Sequence, residues 1–420
     1  AGDAAVLAEL AKQQKQAALE AHKVQVGEAE SRYGMWDGAS ESIYTGGWDQ
    51  VSVQGDVVGL ENEPFFTEGL LRVSVEPLLD QRTQERLLAA VESHVQKSPD
   101  AVDLGEVGAS EQVRSLLPVV LPCVASEFPA LDAQSLRVSS ACVTRELPTT
   151  TALATAPLEP ALVTCIIDLG SPHSGGGFWF RANGQVHRPA PGHAILFASS
   201  LSHVEVPVSE GVRRTLVLQI VSASQPNVGL RLQAQGTALR EAGDLSGSRA
   251  ALEQSIRENG LVPESWRELG KTQQALQDMK AAETTYNRAV QLSRLNTKDV
   301  ADFEALFLLG CLRQALDKTD EASTCFEEAL AVGAPPSRNR IRHEIDAEHN
   351  WALTLMAMDK FEEAAVILDQ VLDEDPNAEE SWSALGVCMV KLGQEEAALL
   401  CQQQVLRIQG LKESDNVALE

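Results

Sequence analysis

The sequence predicts an α+β multidomain protein: a β-rich domain with flanking helices, followed by an all-α stack of helix pairs. Three observations carry this. Between Leu136 and Val221, short apolar and β-branched runs are punctuated by Gly, Pro and Ser clusters. After Gln225-Pro226-Asn227 the two-residue alternation gives way to helical spacing, and Trp266-x-x-Leu269-Gly270 recurs as Trp382-x-x-Leu385-Gly386. The chain has 420 residues with 44% hydrophobic content, enough for two or three cores. The expected divisions are a helical arm at 1–32, an extended strap at 33–67, the β-rich domain at 68–222, helix pairs at 229–410 and a tail at 411–420.

Residues 1 to about 31 are rich in Ala, Gln, Lys and Glu, with Val6, Leu7, Leu10, Ala11, Ala17, Ala18 and Leu19 near helical spacing. They predict a long, mostly exposed helix, either solvated or docked against a partner. The next segment sets Trp36, Tyr44, Trp48, Phe65 and Phe66 among polar residues. A loop of that length with that many aromatics is expected to strap across a protein surface. Leu70–Val75 predicts a strand, Leu78–Val95 an amphipathic helix, and Ser110–Phe128 a second helix whose length Pro118 and Pro122 limit. Strands are expected at Leu136–Val143, Leu162–Leu169, Gly177–Arg181, His193–Ala198 and Arg214–Val221. Two helices followed by many short strands suggest a helix-backed barrel or sandwich.

In the C-terminal half, Gly236, Gly270, Gly310, Ala352 and Gly386 occupy equivalent slots, with steps of 34, 40, 42 and 34 residues. A small residue and then a larger apolar one follow at a fixed offset: Ala282 with Tyr286, Ala322 with Phe326, Ala364 with Leu368. Gly or Ala at a helix crossing lets two helices approach, and the large residue fills the neighbouring gap. The period and residue types resemble the tetratricopeptide repeat. One such pair cannot bury its apolar face, so the resemblance implies five pairs stacked into a superhelix that grips a protein partner. The residues expected to mark that groove are Trp266, Gly270, Gly310, Trp382 and Gly386. Arg338, Arg340 and Arg342 form a basic knot that is either a solvated loop or a contact for an acidic partner.

The β-rich stretch carries an ordered series: Thr164 to Gly170, Gly176 to Phe180, Pro189 to Phe197, then His203 with Pro207, Gly211 and Arg213. It resembles the double-stranded β-helix (a jelly-roll, cupin-like barrel) of prolyl-hydroxylase-like oxygenases that use 2-oxoglutarate and iron(II). That family holds its metal with two His and one carboxylate. By that resemblance His203 matches the distal histidine, and Arg213 the residue that grips the co-substrate carboxylate, a task that suits a planar guanidinium. Arg214 is one residue out of phase and should face the other way. The family's His-x-Asp is missing: Ala152 and Ala154 stand at the aligned positions, and between Asp132 and Asp168 the acids are Glu146 and Glu159, with no His. Asp168 falls where many relatives carry a co-substrate-binding Tyr, and a carboxylate there repels another unless protonated or paired. His173, His187 and His193 are the remaining nearby imidazoles, and His193 with His203 is the rearranged metal site to consider.

The net charge of −26 and pI near 4.7 argue against binding nucleic acid or an anionic membrane surface. No apolar run reaches bilayer-spanning length. Seven scattered cysteines without a CxxC pair favour a reducing compartment, cytoplasmic or organellar, and a soluble or peripheral protein; the Ala1 start permits a processed N-terminus. Two functions compete. The first is a non-catalytic scaffold subunit that needs no cofactor and holds protein partners within a larger assembly. The alternative is an active 2-oxoglutarate- and iron(II)-dependent protein hydroxylase whose repeats recruit substrate. A metal-free 2-oxoacid sensor built on Arg213 is a third reading.

Overall fold

The structure of the chain is a computed structural model that describes residues 2–36, 44–51, 71–92, 94, 101–129, 131–148, 161–181, 183–199, 201, 203–260, 262–296, 302–336 and 339–417. Its contacts divide it into two compact units, one of residues 1–278, 292–299 and 336–338, the other of 279–291, 300–335 and 339–420. The division falls inside the helical series, after the third helix that follows the strands.

The first unit opens with α1 (Gly2–Tyr33), then β1 (Trp48–Gln50), β2 (Leu71–Ser74), α2 (Gln81–Glu92), β3 (Ala101–Asp103) and α3 (Ser110–Glu127). The strands β4 (Leu136–Glu146), β5 (Val163–Asp168), β6 (His173–Gly175), β7 (Phe178–Phe180), β8 (Gln185–His187), β9 (Ala194–Ala198), β10 (His203–Glu205), β11 (Val208–Gly211) and β12 (Arg213–Ser222) follow. Three helices complete the unit: α4 (Val228–Glu241), α5 (Leu245–Glu258) and α6 (Pro263–Ala275). Seven strands form one antiparallel sheet in the order β1-β2-β9-β5-β12-β4-β3; β10-β7-β8 make a second sheet and β11-β6 a ribbon. Phe180 and Phe197 meet edge-to-face at 5.0 Å, tying the small sheet to the large one. The described strands form open sheets, not a closed barrel: the second layer supplies too few strands to wrap the seven of the first. Every residue of β5 and β9 is buried, as expected of strands covered on both faces.

Two expectations are corrected here. Pro118 and Pro122 do not limit α3, which runs through both. Each removes one ladder hydrogen bond, but they lie four residues apart on one flank, and the buried Leu117, Val120, Leu121 and Val124 anchor the helix regardless. The second concerns α1, which is neither a solvated arm nor one held out for a partner. Its buried stripe of Ala11, Ala18, His22, Gln25, Ala29 and Tyr33 lies against its own chain. Lys15 pairs with Glu258 of α5 at 2.6 Å, Arg231 of α4 donates to Gln25, and Arg137 of β4 donates to Glu30 at 2.7 Å. The strap residues that are described do cross the chain's own surface. The Tyr44 hydroxyl donates to the Glu76 carbonyl at 3.1 Å, and its ring meets Trp48 edge-on at 5.6 Å. Phe65 and Phe66 lie outside the described residues.

The second unit holds α7 (Met279–Asn296) as far as Gln291, then α8 (Phe303–Ala315), α9 (Thr319–Val332), α10 (Arg340–Ala357), α11 (Phe361–Glu374), α12 (Glu379–Lys391) and α13 (Glu395–Val417). Side chains of the helix starts satisfy otherwise unpaired backbone donors: Asn227 caps α4, Asp244 caps α5 and Asp302 caps α8. Between α4 and α5 the turn residue Gly243 is left-handed, and Gln277, Asp317, Asp359 and Gly393 are left-handed in the four turns that follow at the same place in each pair. Their steps of 34, 40, 42 and 34 residues repeat the spacing of the Gly and Ala series, so backbone conformation and sequence report one register.

Candidate functional site

Two places follow from the residues singled out above. The first lies where β7 joins the two sheets. Phe178 and Phe180 are two apart on one strand and so share a face. Phe180 stacks on the His203 ring with centroids 5.5 Å apart, and the Arg213 guanidinium lies 4.4 Å over Phe178. The structure thus brings His203 and Arg213 to one aromatic layer. Gly176 permits this: its backbone is left-handed, and a Cβ there would stand 2.9 Å from the Arg213 Cδ.

Arg213 is already occupied. It opens β12 directly opposite Glu146, the last residue of β4, and donates to the Glu146 carboxylate at 2.9 Å. Asp168, which ends β5 on the other flank, lies 3.9 Å from the Arg213 Nε. All three side chains are 1–2% exposed. Burial pushes the Asp168 carboxyl above its ordinary range, against the Gly170 N–H, Arg213 and His173, which pull it down. Arg214 faces the other way, as its phase requires, toward Ser171 and Glu92.

The imidazoles are each engaged separately. His203 and His173 face the carbonyls of Leu201 and Ser171 through Nδ1 at 2.9 and 2.8 Å, and His193 faces that of Ser74 at 3.1 Å. A carbonyl opposite Nδ1 makes that nitrogen the N–H donor. His187 contacts Asn183 at 2.9 Å. Burial lowers the affinity of His203 and His187 for a proton. Among the described residues no group of three or more His, Cys, Asp and Glu side chains is placed to share a metal ion. Ala152 and Ala154 lie outside the described residues. The residues present do not fit iron(II) with 2-oxoglutarate: His203 stands among Phe rings, and the arginine meant for the co-substrate is held by the chain's own carboxylates.

The second place is the helix pairs. A Cβ on Gly236 would stand 2.5 Å from Leu252, and one on Gly310 would stand 2.8 Å from Phe326. Gly270 and Gly310 are buried. They serve the close approach of helices. Trp266 and Trp382 each fix the loop before their helix, donating from Nε1 to the carbonyls of Gly260 and Pro376 at 2.8 and 2.9 Å. Gly386 and Trp382 line a groove of about 620 Å³ on α12 and α13, with Val387, Val390, Leu399 and Gln402. Two residues of the basic knot, Arg340 and Arg342, lie on α10 and not in a loop. Arg340 pairs with Glu344 at 3.0 Å and Arg342 with Asp346 at 3.2 Å along α10, one turn away each, so these two guanidiniums are matched within their own helix. Arg338 lies outside the described residues. Sequence reasoning noticed Glu146 only as an acid in the wrong place for a metal. Its terminal position on a strand that pairs with the Arg213 strand was the available signal.

Helix pairs of this geometry define a helical-repeat protein. Residues 261–333 and 355–409 match models of the tetratricopeptide repeat, so this part of the chain carries those repeats. Solved structures similar to it include a MamA protein, 19% identical over 44% of this chain and 94% of that one, with a TM-score of 0.39. MamA 41-end from Desulfovibrio magneticus RS-1 is 16% identical over 43% and 94%, TM-score 0.38. YrrB, described as a TPR protein with an unusual peptide-binding site, is 15% identical over 43% and 87%, TM-score 0.38. No curated protein matches the chain. No helix among the described residues is long and apolar enough to cross a membrane.

Proposed function

We propose that the chain is a non-catalytic scaffold subunit that holds protein partners through its tetratricopeptide pairs, with the β-layered part as a second binding module in a multiprotein assembly. The repeats support the protein-binding half of this reading. The observation that carries the non-catalytic half is the buried Arg213–Glu146 pair. A 2-oxoglutarate carboxylate would have to displace Glu146 beside Asp168, bringing further negative charge to a site that already sets two carboxylates against one guanidinium.

The strand order supports descent from an oxygenase-like double-stranded β-helix over residues 68–222. In that reading β9-β5-β12-β4 are the major sheet, β10-β7-β8 part of the minor one, and His203 and Arg213 retained packing residues. The reading requires neither iron(II) nor 2-oxoglutarate, and a reducing compartment suits seven cysteines of which none is in a disulfide.

The test is twofold. The chain purified from its source at moderate salt is expected to co-migrate with defined protein partners. The purified chain should show no 2-oxoglutarate decarboxylation when supplied with iron(II). Stoichiometric iron together with turnover that His203→Ala abolishes would replace this reading with the hydroxylase. Thermal stabilisation by 2-oxoglutarate that depends on Arg213 would replace it with the sensor.

A further inference from the structure

The left-handed turns let residues of successive pairs be matched. Ala352 to Gly386 is one step of 34. On that step Leu353, Met356, Ala365 and Leu372 of the α10–α11 pair correspond to Val387, Val390, Leu399 and Leu406 of the α12–α13 pair. In the earlier pair these residues share one apolar cluster with Ala384, Leu385 and Cys388 of α12, the helix seated on them. Ala365 and Leu372 are each 6% exposed there. In the later pair Val387 is 48% exposed, Val390 64%, Leu399 58% and Leu406 60%. The surface that seats the next helix elsewhere in this chain is therefore present again, still apolar, without a helix on it among the described residues. Here the groove carries only Lys391 and Glu395 as charged lining.

We infer that this α12–α13 face is a two-fold self-association surface, occupied by the same face of a second copy of the chain. Three observations select that occupant. The face continues an interface that the chain already uses between its own helix pairs. Head-to-tail stacking needs an open face on the first pair, and α1 covers that one: Ala18 forms a buried cluster with Leu232 and Ala251. What remains for a second copy is an isologous contact, in which the patch meets itself. Lys391 and Glu395 lie at the same turn with opposite charge, so a two-fold axis through that turn sets each against its counterpart. The inference goes beyond the scaffold reading and is independent of which protein the repeats hold.

The full chain is examined by sedimentation velocity from roughly 1 to 100 µM, at low and high salt. A monomer–dimer equilibrium is expected, and it should strengthen with salt because each copy carries a charge of −26. The Val390→Asp/Leu399→Asp variant should remain folded by circular dichroism, since both side chains are exposed, and should weaken association at least ~100-fold. Val24→Asp, exposed on α1, should leave the dimer intact. A chain that stays monomeric at the highest concentration, including one that instead accepts a helix of another protein on this face, overturns the inference. So does a dimer that the double variant leaves intact.

Discussion

Glu146 shows what a single side chain settles. As the hydrogen-bonded partner of a fully buried guanidinium, it cannot be removed without leaving Arg213 only the more distant carboxylate of Asp168, 3.9 Å away. Glu146→Ala is expected to lower the unfolding free energy by about 3–5 kcal/mol, read from urea denaturation, with Glu146→Gln intermediate. Four histidines act in concert on pH. Burial is the leading cause that holds His22, His187, His203 and His349 below the ordinary imidazole range, so each gains its proton at a lower pH in the fold than in the unfolded chain. The unfolded chain takes up their protons first, at about pH 6.5. The contribution of these histidines to stability is therefore level above that pH and falls on acidification through it, by up to ~1.4 kcal/mol per pH unit per histidine. Urea midpoints at pH 7.5, 6.5 and 5.5 check this, and His203→Asn should flatten the slope. At this scale the sequence disclosed phase but not partners. The opposed directions of Arg213 and Arg214 followed from strand alternation, whereas pairing with Glu146 depends on a register between strands 67 residues apart.

Elements were legible in proportion to their length. The long strands β4, β5, β9 and β12 announce themselves by composition, while β1, β3, β6, β8, β10 and β11 hold only three or four residues, too few for a period to show. The docking face of α1 was hidden for another reason: it is built mostly from Ala, His and Gln, so burial there leaves only a weak apolar stripe. The repeat turns fall between these cases. Gly243 and Gly393 are visible as turn residues, but Gln277 occupies the same left-handed conformation with a Cβ and no local Asx bond to favour it. Gln277→Gly should therefore stabilise the fold by up to ~1 kcal/mol, seen as a raised denaturation midpoint.

For the molecule as a whole, the order of β-rich part and then helix pairs stands as the sequence predicted. The compact units do not follow that order, because α4, α5 and α6 group with the strands. The agent of this grouping is visible in α1, which reaches β4 through Glu30 and Arg137 and reaches α5 through Lys15 and Glu258. Acidity belongs to this scale too. A charge of −26 cannot be assigned to any one site, and its effect is to keep copies apart unless an apolar face outweighs it.

The brace formed by α1 also sets a schedule for biosynthesis. Lys15 and Glu258 are separated by 243 positions, so at ribosomal speeds of about 5–20 residues per second the helix waits roughly 10–50 s before its last docking site has been made. During that interval it is an alanine- and glutamine-rich segment of low hydrophobicity, with little to attract an aggregating neighbour. A greasier stripe would grip the finished fold more tightly but would leave the nascent chain sticky for most of its translation.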